Sequence, residues 1–304
     1  MSATDVRAGR TAFAPGRWLG RVFAVTLVGF FLLFFVIPLV WLLLAPTKTT
    51  TQLNSLEGAL PLSFGSLGQL VENWNELVAF QDGIVWTWLG NSVLYSGVAL
   101  LITLIVTIPA GYALALTDFK FRRALLALTL MVMLIPNTAL VLPIFLEINA
   151  VGLVGTPWAV ILPFSFFPFG VYLTYIYFST SISRDLLDAA RVDGADEFKV
   201  FQRVAIPLAM PVIALVGFFS FVTNWNNYFL PFVMVPGRKA PIQVGLAELI
   251  SNVPLFNPTT VSSITISLPQ LALATVISII PVLIVFLFSQ RFLVAGLTAG
   301  ATKE

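Results

Sequence analysis

The sequence predicts an all-α, polytopic membrane protein with six transmembrane helices, and three observations carry that reading. Of its 304 residues, 58% are hydrophobic and only 10% charged, with a mean hydropathy of +0.96; soluble domains carry about 25% charged residues. Six apolar runs of bilayer-crossing length contain no Asp, Glu, Lys or Arg. The basic residues between those runs are distributed unevenly, thirteen in alternate connections and tails against three in the others.

The predicted spans run from Val22 to Ala45, Leu89 to Leu116, Ala124 to Leu146, Thr156 to Phe178, Leu208 to Val235 and Ile264 to Ser289. The first run is longer than the apolar core of a cleavable leader, about 7–15 residues, so it is expected to be retained. Proline recurs inside the spans, at Pro109, Pro136, Pro143, Pro163 and Pro168 among others. Membrane helices tolerate it because neighbouring groups satisfy the freed backbone, and kinks are expected there. The N-tail (Arg7, Arg10, Arg17, Arg21), the turn holding Lys120, Arg122 and Arg123, the segment holding Arg184, Arg191, Lys199 and Arg203, and the C-tail (Arg291, Lys303) make the basic set. Lys48, Arg238 and Lys239 make the other. Basic loops stay cytoplasmic, so both termini are expected in the cytoplasm of a prokaryotic inner membrane.

Three segments follow from this: 1–88 (N-terminal tail, first span and a long external loop), 89–290 (a core of five helices with a cytoplasmic loop at 183–207) and 291–304 (a cytoplasmic tail). The external loop from Pro46 to Trp88 is expected to be irregular with short helices. A second, Pro236 to Ser263, exposes Pro254, Leu255, Phe256 and Asn257, an apolar tip suited to contact with a partner outside the membrane.

Composition also narrows the chemistry. The chain has no Cys and no His, which excludes thiolate chemistry and removes the commonest general base and metal ligand. No metal site and no catalytic residue is expected, and a formal charge of +2 gives no reason to expect nucleic acid. An ion-coupled carrier usually keeps ionisable groups within its spans, and a lipid-modifying enzyme needs converging acid, base or metal groups at one depth. Charge-free spans weigh against both.

The charged segment between the fourth and fifth spans is the most informative stretch. Ser183 is placed to cap a short helix with Asp185 in its first turn. Leu186, Leu187 and Ala190 space out a narrow apolar face, and Asp188 and Arg191 flank it at i and i+3. Gly194 suits the left-handed position that ends a helix. Asp196 can cap a second turn carrying Phe198, Phe201 and Val204, and Pro207 stands where the chain enters the next span. Two short helices meeting at a glycine elbow are predicted.

The order Asp188-Ala189-Ala190, Arg191, Asp193, Gly194, Ala195 and then Ile206-Pro207 resembles the EAA loop of permease subunits of bacterial ABC importers, with Asp188 where the family usually has Glu. Further runs resemble the carbohydrate branch, in particular the maltose-type second permease subunit. These are Asn91-Ser92, Gly111-Tyr112-Ala113-Leu114-Ala115, Thr156-Pro157-Trp158-Ala159, Trp225-Asn226-Asn227 and Gly296-Leu297-Thr298-Ala299-Gly300. The resemblance implies the type I ABC importer permease fold, a sugar or oligosaccharide as cargo, and a second permease subunit. It also implies two ATP-binding subunits gripping the cytoplasmic loops, and an extracellular or periplasmic sugar-binding protein. ATP and its magnesium would be bound by the partner subunits, since this chain has no G-x-x-x-x-G-K-[ST] sequence. The same loop is shared by importers of amino acids, peptides and anions, which remain the nearer alternative. Asn224, Trp225, Asn226, Asn227 and Tyr228 gather amides and rings suited to a sugar on the pathway, although polar groups in spans also join helices. The tail from Gly296 to Gly300, small and flexible, is expected by the same resemblance to reach between the ATPase subunits.

Overall fold

The computed structural model describes residues 15–54, 60–258 and 265–299, and among them all regular structure is helical. In chain order the helices are α1 (Pro15–Leu44), α2 (Thr50–Asn54), α3 (Leu67–Ala79), α4 (Ile84–Leu116), α5 (Arg122–Met133), α6 (Asn137–Ala150), α7 (Trp158–Phe164) and α8 (Pro168–Ser181). They continue with α9 (Arg184–Val192), α10 (Glu197–Val200), a π turn (Phe201–Ala205), α11 (Ile206–Leu208), α12 (Met210–Trp225), α13 (Phe229–Met234), α14 (Ile242–Ser251) and α15 (Leu268–Ala299).

Four of the described helical stretches are long and apolar enough to cross a membrane, and six are when two bent pairs are each taken as one span. The expected third span is two helices, α5 and α6, turned 107° to each other at Leu134–Pro136. Pro136 cannot donate a helical hydrogen bond and presses the residue before it out of the helical region, so the chain leaves one axis there and starts another. The expected fifth span is bent by 75° at Ala209, between α11 and α12; α12 ends at Trp225, and the short α13 follows after Asn226–Tyr228. The expected fourth is interrupted at Ser165–Phe167, ahead of Pro168. The predicted loop from Pro236 to Ser263 contains a helix, α14, with Ile242, Val244 and Leu249 buried. The last helix runs on to Ala299, so residues 291–299 extend it where a separate tail was expected.

The bundle is organised around α4. Its residues enter all three buried clusters: Trp88 with Trp225, Leu249 and Ile277 at one end, Tyr95 and Ala99 with Val160 and Met234 in the middle, and Ile108, Tyr112 and Ala115 with Phe178, Val200 and Val212 at the other. Two glycines allow its tight contact with α8. A methyl group on Gly111 would lie 2.5 Å from the side chain of Thr174, and one on Gly170 would lie 3.0 Å from Thr107. Small residues facing small residues let membrane helices approach closely where lipid supplies no hydrophobic drive. Thr174 meanwhile donates its hydroxyl to Gly170 O of its own helix at 2.8 Å.

Candidate functional site

The glycine elbow forms at one end of the bundle. Ser183 Oγ accepts from Asp185 N, and Asp196 Oδ1 accepts from Lys199 N at 2.9 Å, so both caps are made. At the C-terminus of α9, Gly194 N donates to Arg191 O and Ala195 N to Ala190 O, each at 3.0 Å. This pair of bonds requires a left-handed residue between them, and Gly194 has φ +83°. The next helix contains the π turn, with Ile206 N donating to Phe201 O just before Pro207 removes the following donor.

The elbow is anchored by Leu187, Val200 and Ala205, all buried against Tyr112, Phe178 and Ile182. Asp185, Asp188, Ala189 and Val192 lie exposed on the opposite side of α9, and Val192 is 87% exposed. The expected apolar face is therefore divided: Leu187 and Ala190 turn inward and Leu186 outward. Phe198 is likewise exposed, and Val200, not singled out in the sequence, takes the buried place. Pro207 is exposed and Ile206 half-buried.

Four charged or hydroxyl side chains tie this elbow together. Arg191 donates from Nη1 to Asp188 Oδ1 at 2.6 Å, from Nε to Glu197 Oε2 at 3.1 Å and from Nη2 to Glu197 Oε1 at 3.1 Å. Glu197 Oε1 also accepts the Tyr112 hydroxyl of α4 at 2.6 Å. The hydrogen bonds from Arg191, then from Tyr112, hold the Glu197 carboxyl below the usual carboxylate range. Glu197 and Asp188 in turn hold the Arg191 guanidinium above its ordinary value. Sequence reading found the Asp188–Arg191 pair but missed Glu197 and Tyr112.

A cavity of about 340 Å3 opens where the three helix breaks meet. Its polar lining is Asn137 and Thr138 at the start of α6 with Thr223, Asn224 and Asn227 at the end of α12, and no charged side chain takes part. Phe164, Phe166, Phe167, Phe169 and Phe229 line it too, and aliphatic side chains and prolines complete the wall. Asn224 Nδ2 donates to Phe164 O at 3.2 Å, joining two of the breaks, and Asn227 Oδ1 accepts from Leu230 N at 3.3 Å. Trp225 turns the other way: its ring stacks on Phe221 and its Nε1 donates to Ser278 O at 3.1 Å. Asn226 is exposed and Tyr228 stacks on Phe232, both outside the cavity lining. Asn137, Thr138 and Thr223 were not picked out in the sequence, where only the Pro136 break pointed to them.

At the far end of the bundle, α4 grips the segment Gly237–Ile242. Trp88 Nε1 donates to Gly237 O (3.1 Å), Asn91 Nδ2 to Arg238 O (2.8 Å) and Ala240 O (3.0 Å), and Tyr95 Oη to Lys239 O (2.9 Å). Ser92 Oγ accepts from Ile242 N at 2.7 Å. Beyond α14, Leu255 and Phe256 are exposed by more than half, following Pro254, and Asn257 N donates to Val253 O. Gly296, Leu297, Thr298 and Ala299 continue α15, and Gly300 lies outside the described residues.

A bundle of charge-free spans broken around an uncharged cavity, with a folded elbow at one end, is the membrane-spanning part of a transporter. The chain belongs to the family described as binding-protein-dependent transport system inner membrane component, which matches residues 107–299. It is similar to the arabinooligosaccharides transport system permease protein AraQ of Halalkalibacterium halodurans, 33% identical over 88% of this chain and 91% of that protein. It is also similar to the sulfoquinovosyl glycerol transport system permease protein SmoH of Agrobacterium fabrum, 28% identical over the whole of both chains. In fold it matches a chain of the crystal structure of a bacterial ABC transporter involved in the import of the acidic polysaccharide alginate. That match has a TM-score of 0.77 and 24% identity, and covers 95% of this chain and 99% of the other.

Proposed function

We propose that this chain is one of two permease subunits of an ATP-driven importer for a sugar or oligosaccharide, and that it forms half of the translocation pathway. The observation that carries the reading is the cavity at the three helix breaks. Uncharged amides and hydroxyls beside phenylalanine rings suit a neutral polyol, whose hydroxyls need donors and acceptors and whose ring faces are apolar. Asn224 and Asn227 are the pathway residues on this reading, with Asn137 and Thr138 facing them. The names of the relatives support a carbohydrate cargo.

Energy enters from outside the chain. Two ATP-binding subunits, carrying ATP and magnesium, dock on the elbow at Asp188, Ala189, Arg191, Asp193 and Gly194, with Ala190, Ala195 and Ile206 shaping it from behind and Pro207 exposed where the chain leaves it. The excess of basic residues on the elbow side supports cytoplasmic termini and a cytoplasmic elbow. A sugar-binding protein then meets the opposite face, where Leu255 and Phe256 stand exposed. The segment Gly296–Gly300 reaches toward the ATPase pair.

The test is uptake by proteoliposomes holding this chain, its second permease, the ATPase subunits and the binding protein, offered labelled arabino-oligosaccharides or labelled amino acids. Accumulation of the oligosaccharide that requires ATP is expected. Accumulation without nucleotide, or of amino acids alone, overturns the reading.

A further inference from the structure

The elbow has a glycine joint and a tie across it. Gly194 sits at φ +83° with nothing within 4 Å of where a side chain would stand, so the turn itself is open, and beneath it only the non-directional apolar contacts of Leu187, Ala190, Ala195 and Val200 join α9 to α10. The Arg191–Glu197 fork spans that joint with two parallel hydrogen bonds, a geometry that sets orientation as well as distance. The oxygen shared with Tyr112 then fastens the joined pair to α4. Tyr112 is itself held, 5% exposed, with its ring edge-on to Phe178 and tilted on Phe201.

These groups do little for stability. The side chains of Arg191 and Glu197 are 36% and 51% exposed, and ion pairs so open to water contribute little to folding. What the tie does supply is a fixed angle. The other end of α4 is bound as well, through Trp88, Asn91, Ser92 and Tyr95, to the backbone of Gly237–Ile242.

We propose that Tyr112 and Glu197 are positioning residues that lock the elbow to α4, so that displacement of the elbow moves the Gly237–Ile242 segment at the far end instead of being absorbed at Gly194. The proposal rests on the reading of the elbow as the ATPase docking site. Without the tie, only the apolar contacts of Leu187 and Ala190 would resist a partner swinging α9 about the glycine. With the tie, α9, α10 and α4 move together, and α4, about 50 Å long at 1.5 Å per residue, carries the far segment with it.

The test uses the assembled complex in proteoliposomes and exploits the absence of cysteine from this chain. Val192→Cys reports docking by cross-linking to an ATPase subunit. Arg238→Cys, in the clasped segment, reports the far end by its maleimide labelling rate before and after trapping with Mg-ATP and orthovanadate. Tyr112→Phe keeps the ring and removes the hydroxyl, and Glu197→Gln keeps the size and removes the charge. The Val192 cross-link is expected in all backgrounds. Trapping is expected to change the Arg238→Cys labelling rate in the otherwise unaltered chain, and Tyr112→Phe and Glu197→Gln to shrink that change about fivefold or more. Loss of the cross-link in the otherwise unaltered chain refutes the docking reading on which the proposal stands. An intact cross-link overturns the tie if the labelling change is full in both variants, or if trapping leaves the otherwise unaltered chain's labelling rate unchanged.

Discussion

Lys48 shows at the scale of one residue how this chain handles a charge at the end of a span. It follows Ala45–Thr47 at the end of α1, is fully buried, and donates from Nζ to Leu60 O and Pro61 O at 2.9 Å each. Its own carbonyl accepts from Asn73 Nδ2 of α3 at 3.2 Å. The side chain therefore staples residues 60 and 61 to the end of the first span. Lys48→Met keeps the length and removes both bonds. Because Leu60 and Pro61 are exposed, their carbonyls recover water, and a loss of about 1 kcal/mol is expected, read as a lower thermal midpoint of the purified chain in detergent. A larger loss is expected at Gly245, where a methyl group would overlap the buried Trp88 ring. Gly245→Ala should cost about 1–3 kcal/mol through overpacking, measured the same way.

At the scale of elements, the broken helices decide where polar groups can stand. A continuous apolar helix exposes no backbone, whereas each break frees carbonyls and amides that must be satisfied. Asn224 does this for Phe164 O. Asn224→Leu leaves that carbonyl without its side-chain donor in a buried place, and a loss of about 1–3 kcal/mol is expected. Asn227 keeps a different balance, since its Oδ1 accepts from Leu230 N while it lines the cavity. Asn227→Ala should therefore raise the KM for uptake while costing only about 1 kcal/mol of stability, the scale of a lost helix cap. Uptake kinetics with an unaltered KM would remove Asn227 from the pathway. The breaks were only half legible in the sequence. Pro136 and Pro168 marked places where helices bend, but a hydropathy window counts apolar residues and not backbone continuity, so α5 and α6 read as one span. The window also passed over α14, whose ten residues are too short to register as a crossing.

At the scale of the whole molecule, the elbow was the most legible part, because its devices are local. Ser183, Asp196 and the Asp188–Arg191 pair act within four residues of themselves, and Gly194 acts on its own backbone. The Tyr112–Glu197 contact joins residues 85 apart, and the grip of Asn91 on Ala240 joins residues 149 apart; no spacing rule reaches that far. Acid should expose the elbow contact. Glu197 is held below its ordinary value near 4.5, so the contribution of its charge is fully present above that value and fades as pH falls through the lowered one. The far-end response to ATP trapping should therefore be flat from about pH 8 to about 5.5, where the carboxylate stays ionised throughout. A response that titrates within that window would assign the coupling to another group.

The first helix has few neighbours in the protein. α1 is exposed along nearly its whole apolar length, and its main contacts are with α15 and with the turn that follows it. During synthesis it enters the lipid early, then waits for a companion that the ribosome delivers only after every other described helix. Nascent chains stopped before Leu268 should thus present a bare, phenylalanine-rich rod to the bilayer, open to quality-control proteases or to strangers with a matching face. Arrival of α15 clothes only a small part of that rod, because its phenylalanines stay exposed even then, so lipid or another subunit must cover the remainder.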